Sequence, residues 1–330
     1  MIKQVSIQNF KSILDLTFQA KRVNIFIGEP NSGKSNLLEA LSLFGIAEEL
    51  NFPSHIRYEG IQNIFFDNET HKIIKIQADS DCLEFSIQNK DGKIKLKSDH
   101  ESFEFLISVE KGKIQWNTQY GVDFDLRGKF DAYKSYYFSP YTAGENYSNE
   151  LSSLAAPYGN NLFEIVQTNK VLREIIAGIF LEKGYKLNLN ASRREINFSK
   201  EQEGVLYTYP YQLLSDTLQR TIFYTAVLES NRDSVILLEE PEAKMLPYFT
   251  NQLAESIAVD SYNNQFFIVT HNPYFLSSII GKTPKDSISV NVVYSEDYQT
   301  KTKQLSEDEL SEALDLSSGI FFNLDQFLPE

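Results

Sequence analysis

The chain opens on alternating apolar and polar positions. Residues 2–8 and 16–20 read as short strands around a turn at Phe10-Lys11-Ser12. Residues 23–27, Val-Asn-Ile-Phe-Ile, predict a buried strand. A loop containing Gly and Pro follows. Beyond it, Leu37, Leu38, Leu41 and Phe44 recur at helical spacing, which predicts a helix from Ser35 that stops at Gly45. Residues 60–130 change character. Short alternations separated by Asp-Gly, Asp-Asn and Lys-Gly pairs predict a β-rich segment, with Asp91-Gly92 turning a hairpin. On the strand after that turn, Lys93, Lys95 and Lys97 alternate with Ile94 and Leu96 and so share a face. That face reads as solvated or edge-protecting, with a phosphate-backbone contact as the alternative.

Residues 141–212 open on a Gly/Asn/Ser-rich stretch and then read as helical, most clearly over 161–182. A helix carrying Leu218, Ile222 and Ala226 follows. Next come a strand at 234–238, a helix near 247–258, a strand at 265–269, a helix near 274–281 and late strands near 288–294. Strand–helix alternation at both ends predicts an α/β fold with a largely parallel central sheet. The expected organisation has residues 1–140 as the N-terminal half of that domain, including a β-rich lobe at about 60–130. Residues 141–212 would form a helical lobe, and 213–330 the C-terminal half. No heptad run suggests a coiled coil, and no internal repeat is evident.

Composition narrows the picture. At 330 residues, with 42% hydrophobic positions, 24 Phe and 18 Tyr, the chain is long and apolar enough for a sizeable core. A net charge of −14 disfavours whole-surface attraction to nucleic acid or anionic membrane, without excluding a local basic patch. The single cysteine, Cys82, permits no intramolecular disulfide and fits a reducing, cytosolic setting. No run of about 18 apolar residues or signal-peptide pattern is present, so the chain reads as cytoplasmic and not membrane-bound.

Gly28-Glu29-Pro30-Asn31-Ser32-Gly33-Lys34-Ser35 matches G-x-x-x-x-G-K-[ST] between a predicted strand and a predicted helix. Glycines let main-chain amides curl around a phosphate without Cβ clashes. The helix points its N-terminus at the anion. Lys34 places a point charge near the β- and γ-phosphates, and Ser35 offers an oxygen to Mg²⁺. The strand Val235-Ile236-Leu237-Leu238 ends in Glu239 and Glu240. After a phosphate loop, such paired acids fit a Mg²⁺-orienting carboxylate and a carboxylate that polarises the attacking water. In isolation they would read as a solvated strand terminus. The next buried strand, Phe266–Val269, runs into Thr270-His271-Asn272-Pro273. It places His271 at a carboxyl strand end, where ligands of open α/β sheets collect. His55, His71 and His100 have no such context and read as surface or core residues.

These motifs, in this order, resemble an ABC-type ATPase head of the RecF/SMC/OLD kind, a P-loop NTPase with a β-rich insert and a helical lobe. Ile7-Gln8-Asn9-Phe10-Lys11-Ser12 is similar to that family's opening strand and turn. Gly33-Lys34-Ser35-Asn36-Leu37-Leu38-Glu39-Ala40 is similar to its phosphate loop and helix. Glu239-Glu240-Pro241-Glu242-Ala243 resembles the acidic motif of the OLD-like branch, and Thr270-His271-Asn272-Pro273 its switch-histidine segment. Leu214-Ser215-Asp216-Thr217-Leu218-Gln219-Arg220 sits where the family has its signature motif.

The resemblance implies ATP sandwiched between two protomers. Gly28, Asn31, Ser32, Gly33, Lys34, Ser35 and Asn36 would bind it from one protomer, and Ser215 and Arg220 from the other. It further implies Mg²⁺ held by Ser35 and Glu239, with Glu240 polarising water and His271 sensing the γ-phosphate. The sequence departs from the family where Thr217 replaces the usual signature glycine and Lys244 a frequent histidine. The family's glutamine is not located; Phe138-Ser139-Pro140 lies near its expected place. Only residues 272–330 follow His271, so no C-terminal nuclease domain is expected, and no long coiled-coil insert is visible in the sequence. Stand-alone heads of this kind often accompany a nuclease or toxin subunit in bacterial antiviral defence, which the resemblance extends to this chain as an implied partner. A nucleotide-gated scaffold with little turnover and a RecF-like DNA-repair ATPase are the alternatives. A small-molecule kinase would give no reason for the His271 or signature-like segments.

Overall fold

A computed structural model of the chain describes residues 1–46, 55–88, 91–98, 101–110, 113–116, 130–141 and 152–329. The central element is a six-stranded sheet. Its strands come from the whole length of the chain and are numbered here in chain order with the rest.

The N-terminal hairpin consists of β1 (Gln4–Phe10) and β2 (Ile13–Gln19), and it leads into β3 (Val23–Gly28) and helix α1 (Lys34–Ser42). The β-rich segment supplies β4 (Ile74–Ala78), β5 (Asp81–Gln88), β6 (Asp91–Ser98), β7 (Glu101–Glu110) and β8 (Lys113–Trp116). These join the hairpin in one antiparallel seven-stranded sheet, ordered β2-β1-β4-β5-β6-β7-β8. Strand β9 (Tyr133–Tyr136) returns to the centre. Helices α2 (Leu162–Thr168) and α3 (Lys170–Leu181) follow, then β10 (Lys186–Asn190), β11 (Glu195–Gln202) and β12 (Val205–Pro210), which make a three-stranded sheet of their own. The C-terminal half runs α4 (Asp216–Ser230), β13 (Val235–Glu239), α5 (Pro247–Ala258), β14 (Gln265–Val269), α6 (Pro273–Lys282), β15 (Ile288–Glu296), β16 (Gln299–Gln304) and α7 (Glu307–Leu316).

The six-stranded sheet has the order β16-β15-β3-β14-β13-β9. All its pairings are parallel except β15 with the edge strand β16. Both of its faces are covered, which is why β3, β13 and β14 are near-continuous apolar runs. Alternate side chains serve two cores. Ile25, Ile27, Ile236, Leu238, Phe266 and Ile268 pack with α2 to α6 on one side. Phe26, Leu237, Phe267 and Val269 pack with α1 and the antiparallel sheet on the other. The sheet is therefore a wall whose carboxyl edge is rigid, and that edge carries the candidate site.

Two expectations change. Asp91 and Gly92 do not turn the hairpin. They are the first paired residues of β6, opposite Gln88 and Ile87, and the connection at 89–90 lies outside the described residues. Gly92 fits there because a Cβ would stand 2.6 Å from the Ile107 side chain of the next strand. Among the described residues of 141–212, α-helix is confined to α2 and α3. After α3 the chain forms β10 to β12; Leu-Asn-Leu-Asn in β10 and Ile-Asn-Phe-Ser in β11 alternate with period two, while β12 joins the sheet through its pairing with β11. Residues 142–151 lie outside the described residues, as does His100.

Candidate functional site

Strand β3 ends at Gly28 beside β15, in register with Val293. Its would-be Cβ lies 2.1 Å from the Val293 carbonyl oxygen, so only glycine allows the two backbones to approach this closely. The loop then turns through Asn31 (φ 64°) and Gly33 (φ 96°) into α1. A Cβ on Gly33 would meet Thr300 Oγ1 at 1.9 Å. Thr300 itself holds the loop. Its hydroxyl donates to the Ser32 carbonyl at 3.0 Å and lies 2.6 Å from Ser12 Oγ, to which Asn36 Nδ2 donates at 2.6 Å. The loop is thus fixed from outside by β16 and by the β1–β2 turn, and it leads directly into the N-terminus of α1.

Inside the loop, Lys34 is nearly buried. Its ammonium donates to the carbonyls of Gly28 (3.0 Å) and Glu29 (2.5 Å) and to Ser32 Oγ (3.3 Å). Burial lowers its pKa to about 8, against the opposing pull of Glu240, Glu29 and Glu239. Ser35 donates its hydroxyl to Glu239 Oε1, across the space between α1 and the end of β13. Glu240 follows at φ 44°, a left-handed conformation uncommon for a side-chain-bearing residue, which turns its carboxylate out of the strand line. Its Oε1 lies 3.5 Å from His271 Nε2, at the end of β14. Burial and the nearby Lys34 charge hold the His271 pKa below its ordinary value, so the ring is neutral near pH 7.

The structure therefore brings together the loop residues, Lys34, Ser35, Glu239, Glu240 and His271. Ser215 and Arg220 stand apart. Ser215 is an exposed N-cap of α4 that accepts from Leu218 N, and Arg220 pairs with Asp216 and covers the Phe138 ring. Among the described residues no hydrogen bond or ion pair joins either to the loop.

The donor set fits Mg²⁺. Ser35 and Glu239 place two hard oxygens together, both partly accessible, and among the described residues no cluster of three or more His, Cys, Asp or Glu forms a self-sufficient metal cage. Mg²⁺ normally takes one or two protein oxygens and completes its shell with phosphate and water.

Sequence reasoning missed a charged group behind the site. Glu39 on α1 is 1% exposed and pairs with Lys11 from the β1–β2 turn and with Arg57 Nε at 3.1 Å. A guanidinium nitrogen of Arg57 lies 4.0 Å from Glu239. A carboxylate within the apolar run Leu37–Leu41 was the available signal for Glu39; nothing local marked Arg57. The remaining histidines have other surroundings. His55 stacks on Tyr137 and contacts Ser42 Oγ at 2.8 Å, and burial lowers its pKa to about 4. His71 is exposed.

Sheet order, the glycine-rich loop between β3 and α1, the acidic end of β13 and the histidine after β14 go with a P-loop NTPase fold of the ABC-type ATPase-head kind. Solved structures agree. The chain matches a structure described as the SmcHead bound to the C-winged helix domain of ScpA, with TM-score 0.55 and 13% identity over 94% of this chain and 99% of that one. It also matches an Smc head domain with an extended coiled coil, bound to the C-terminal domain of ScpA, derived from Pyrococcus furiosus; there the TM-score is 0.53 and identity 12% over 95% and 98%. A family profile described as "AAA domain, putative AbiEii toxin, Type IV TA system" matches residues 166–277, which hold the signature-like, acidic and histidine segments. No curated protein sequence matches significantly. No helix among the described residues is long and apolar enough to cross a membrane.

Proposed function

We propose that the chain binds and hydrolyses ATP with Mg²⁺, and that two copies close around the nucleotide to drive or gate a partner. One observation carries this reading. Three segments remote in sequence converge on one edge: the loop and first turn of α1 with Lys34 and Ser35, the end of β13 with Glu239 and Glu240, and the end of β14 with His271. In the proposed reaction Lys34 and the α1 amides bind the β- and γ-phosphates. Ser35 and Glu239 would hold Mg²⁺, which supplies charge neutralisation on the phosphate oxygens. Glu240 accepts a proton from the attacking water, and His271 contacts the γ-phosphate and orients that water.

The exposed position of Ser215, without a bond to its own loop, supports a role on the loop of a second copy. The partner would be a separate effector, a nuclease or a toxin of a bacterial defence system, in keeping with the toxin–antitoxin description of the matched family. The domain division expected from the sequence belongs to the same reading. In it the ATPase unit would comprise residues 1–140 and 213–330, with 141–212 as a lobe of its own.

The reading is tested by nucleotide binding and light scattering on Glu240→Gln. Magnesium-dependent ATP binding with a dimer mass at saturating ATP is expected. A monomer under those conditions removes the sandwich, and absence of magnesium-dependent ATP binding removes the whole reading.

A second reading, a nucleotide-gated scaffold with slow turnover, has one supporting observation. Thr217, at the signature-glycine position, donates its hydroxyl to the Lys244 carbonyl of its own chain at 3.0 Å. Rapid multiple turnover by the isolated protein would exclude it. The DNA-repair alternative loses its local support, because Lys93 and Lys95 pair with Glu104, and Lys97 with Glu84.

A further inference from the structure

We propose that Glu242 is a positioning residue that ties the loop carrying Glu240 to the loop carrying His271, and so sets the spacing of the acid and the imidazole. The proposal rests on the ATPase reading above and adds a residue to it. Glu242 lies in the turn after β13, where Ala243 N donates to the Glu240 carbonyl and Met245 N to the Glu242 carbonyl, both at 3.0 Å. Its side chain does not point to solvent with those of Glu239 and Glu240. It is 3% exposed and accepts the hydroxyl of Thr270, the residue before His271. Thr270 is fully buried, and its Oγ1 also accepts from Asn272 N at 3.0 Å. The two loops are also joined near the site by Glu240 N donating to the Val269 carbonyl at 2.9 Å, by the 3.5 Å approach of Glu240 Oε1 to His271 Nε2, and by the Asn272 amide acting on the Glu242 carboxyl. The Glu242–Thr270 bond adds a buried side-chain tie at the residue that precedes His271.

The chemistry of the side chain suits this role better than catalysis. The second carboxyl oxygen of Glu242 is buried with no hydrogen-bond partner. A carboxylate in that position is costly, whereas a neutral acid is tolerated. Burial accordingly pushes the Glu242 pKa up to about 7, opposed by the Thr270 hydroxyl and the amides of Glu242 and Asn272. No contact joins it to the phosphate loop or to Ser35 among the described residues. A neutral side chain of the same shape with an acceptor oxygen should therefore replace it.

The test compares Glu242→Ala, Glu242→Gln, Thr270→Val and the Glu242→Ala/Thr270→Val pair for ATP turnover, and for affinity toward a non-hydrolysable ATP analogue. Loosening of the spacing is expected to lower kcat of Glu242→Ala by between about tenfold and 100-fold, with analogue affinity within about twofold of wild type. Glu242→Gln should keep most of kcat. Thr270→Val should lose kcat like Glu242→Ala, and the double variant should be no slower than either single. Wild-type kcat in Glu242→Ala overturns the proposal, as do a multiplicative double variant or a Glu242→Gln as slow as Glu242→Ala. Should Glu242→Ala fail to fold, Thr270→Val and Glu242→Gln carry the test, and wild-type kcat in Thr270→Val overturns it. A wild-type protein without turnover overturns the ATPase reading itself, an outcome distinct from wild-type turnover that Glu242→Ala leaves intact.

Discussion

Lysines serve opposite ends in the seven-stranded antiparallel sheet and at the edge of the six-stranded sheet. In the antiparallel sheet, Lys93, Lys95 and Lys97 each have a carboxylate: Glu104 at 2.6 and 3.1 Å for the first two, and Glu84 at 2.9 Å for the third. Their ammonium groups are in solvent, and the Glu84 hydrogen bond raises the Lys97 pKa. At the edge of the parallel sheet, Lys34 is buried and held by two carbonyls and a hydroxyl, none of which cancels its charge. Its pKa is lowered. A cation neutralised on the spot supports the surface and solubility. A cation held by neutral acceptors keeps its field for a ligand, at a cost in desolvation that shows in its lowered pKa. The number of lysines in a region therefore says less about anion binding than what each lysine already touches.

The sharpest way to break this comparison is at Glu240. If the edge is catalytic, Glu240→Gln should lower ATP turnover by about 10²–10⁴-fold while ATP binding persists, as expected for loss of a general base; steady-state phosphate release measures it. Next comes Lys34→Ala. Removing a charge-assisted contact worth about 1.5–3 kcal/mol should weaken Mg²⁺-ATP binding by roughly tenfold to 100-fold, read by titration calorimetry. The pH dependence is smaller and has a fixed sign. Lys34 binds phosphate in its charged form, and its pKa is lowered to about 8, so ATP affinity should fall as pH rises from 7 to 9, by about tenfold at most. The residual affinity of Lys34→Ala should not follow that curve. Smallest are the lysines of the antiparallel sheet. Lys97→Ala or Lys93→Ala should change unfolding free energy by under about 1 kcal/mol, as for other exposed pairs, and leave ATP affinity unchanged. A Lys97→Ala that weakened ATP binding as much as Lys34→Ala would erase the distinction.

Much of the site edge was legible because its residues are constrained locally. The phosphate loop must have Gly28 and Gly33 where backbone meets backbone and Thr300. Strands β13 and β14 must be apolar because both faces are covered. Glu239, Glu240 and His271 stand out because they interrupt those runs. Period-two alternation marks Leu187–Asn190 and Ile196–Ser199 but not Val205–Tyr207, and the helical signal of α2 and α3 stands just before them. Strand β9 is only Tyr-Lys-Ser-Tyr, too short for any period to declare itself, and is a strand because β13 pairs with it.

Sequence alone determined the phosphate loop, the buried strands that flank it and the order in which acids and histidine follow. Each depends on residue type at a fixed local spacing, which steric and burial rules make readable. Tertiary structure alone decided that Thr300 would brace Ser32, that Arg57 would reach Glu239, and that Glu242 would turn inward to Thr270. Those contacts join residues 28 to 268 positions apart, or depend on which way a turn rotates a side chain. No local pattern encodes them, because they exist only once the parallel sheet has placed its strand ends side by side.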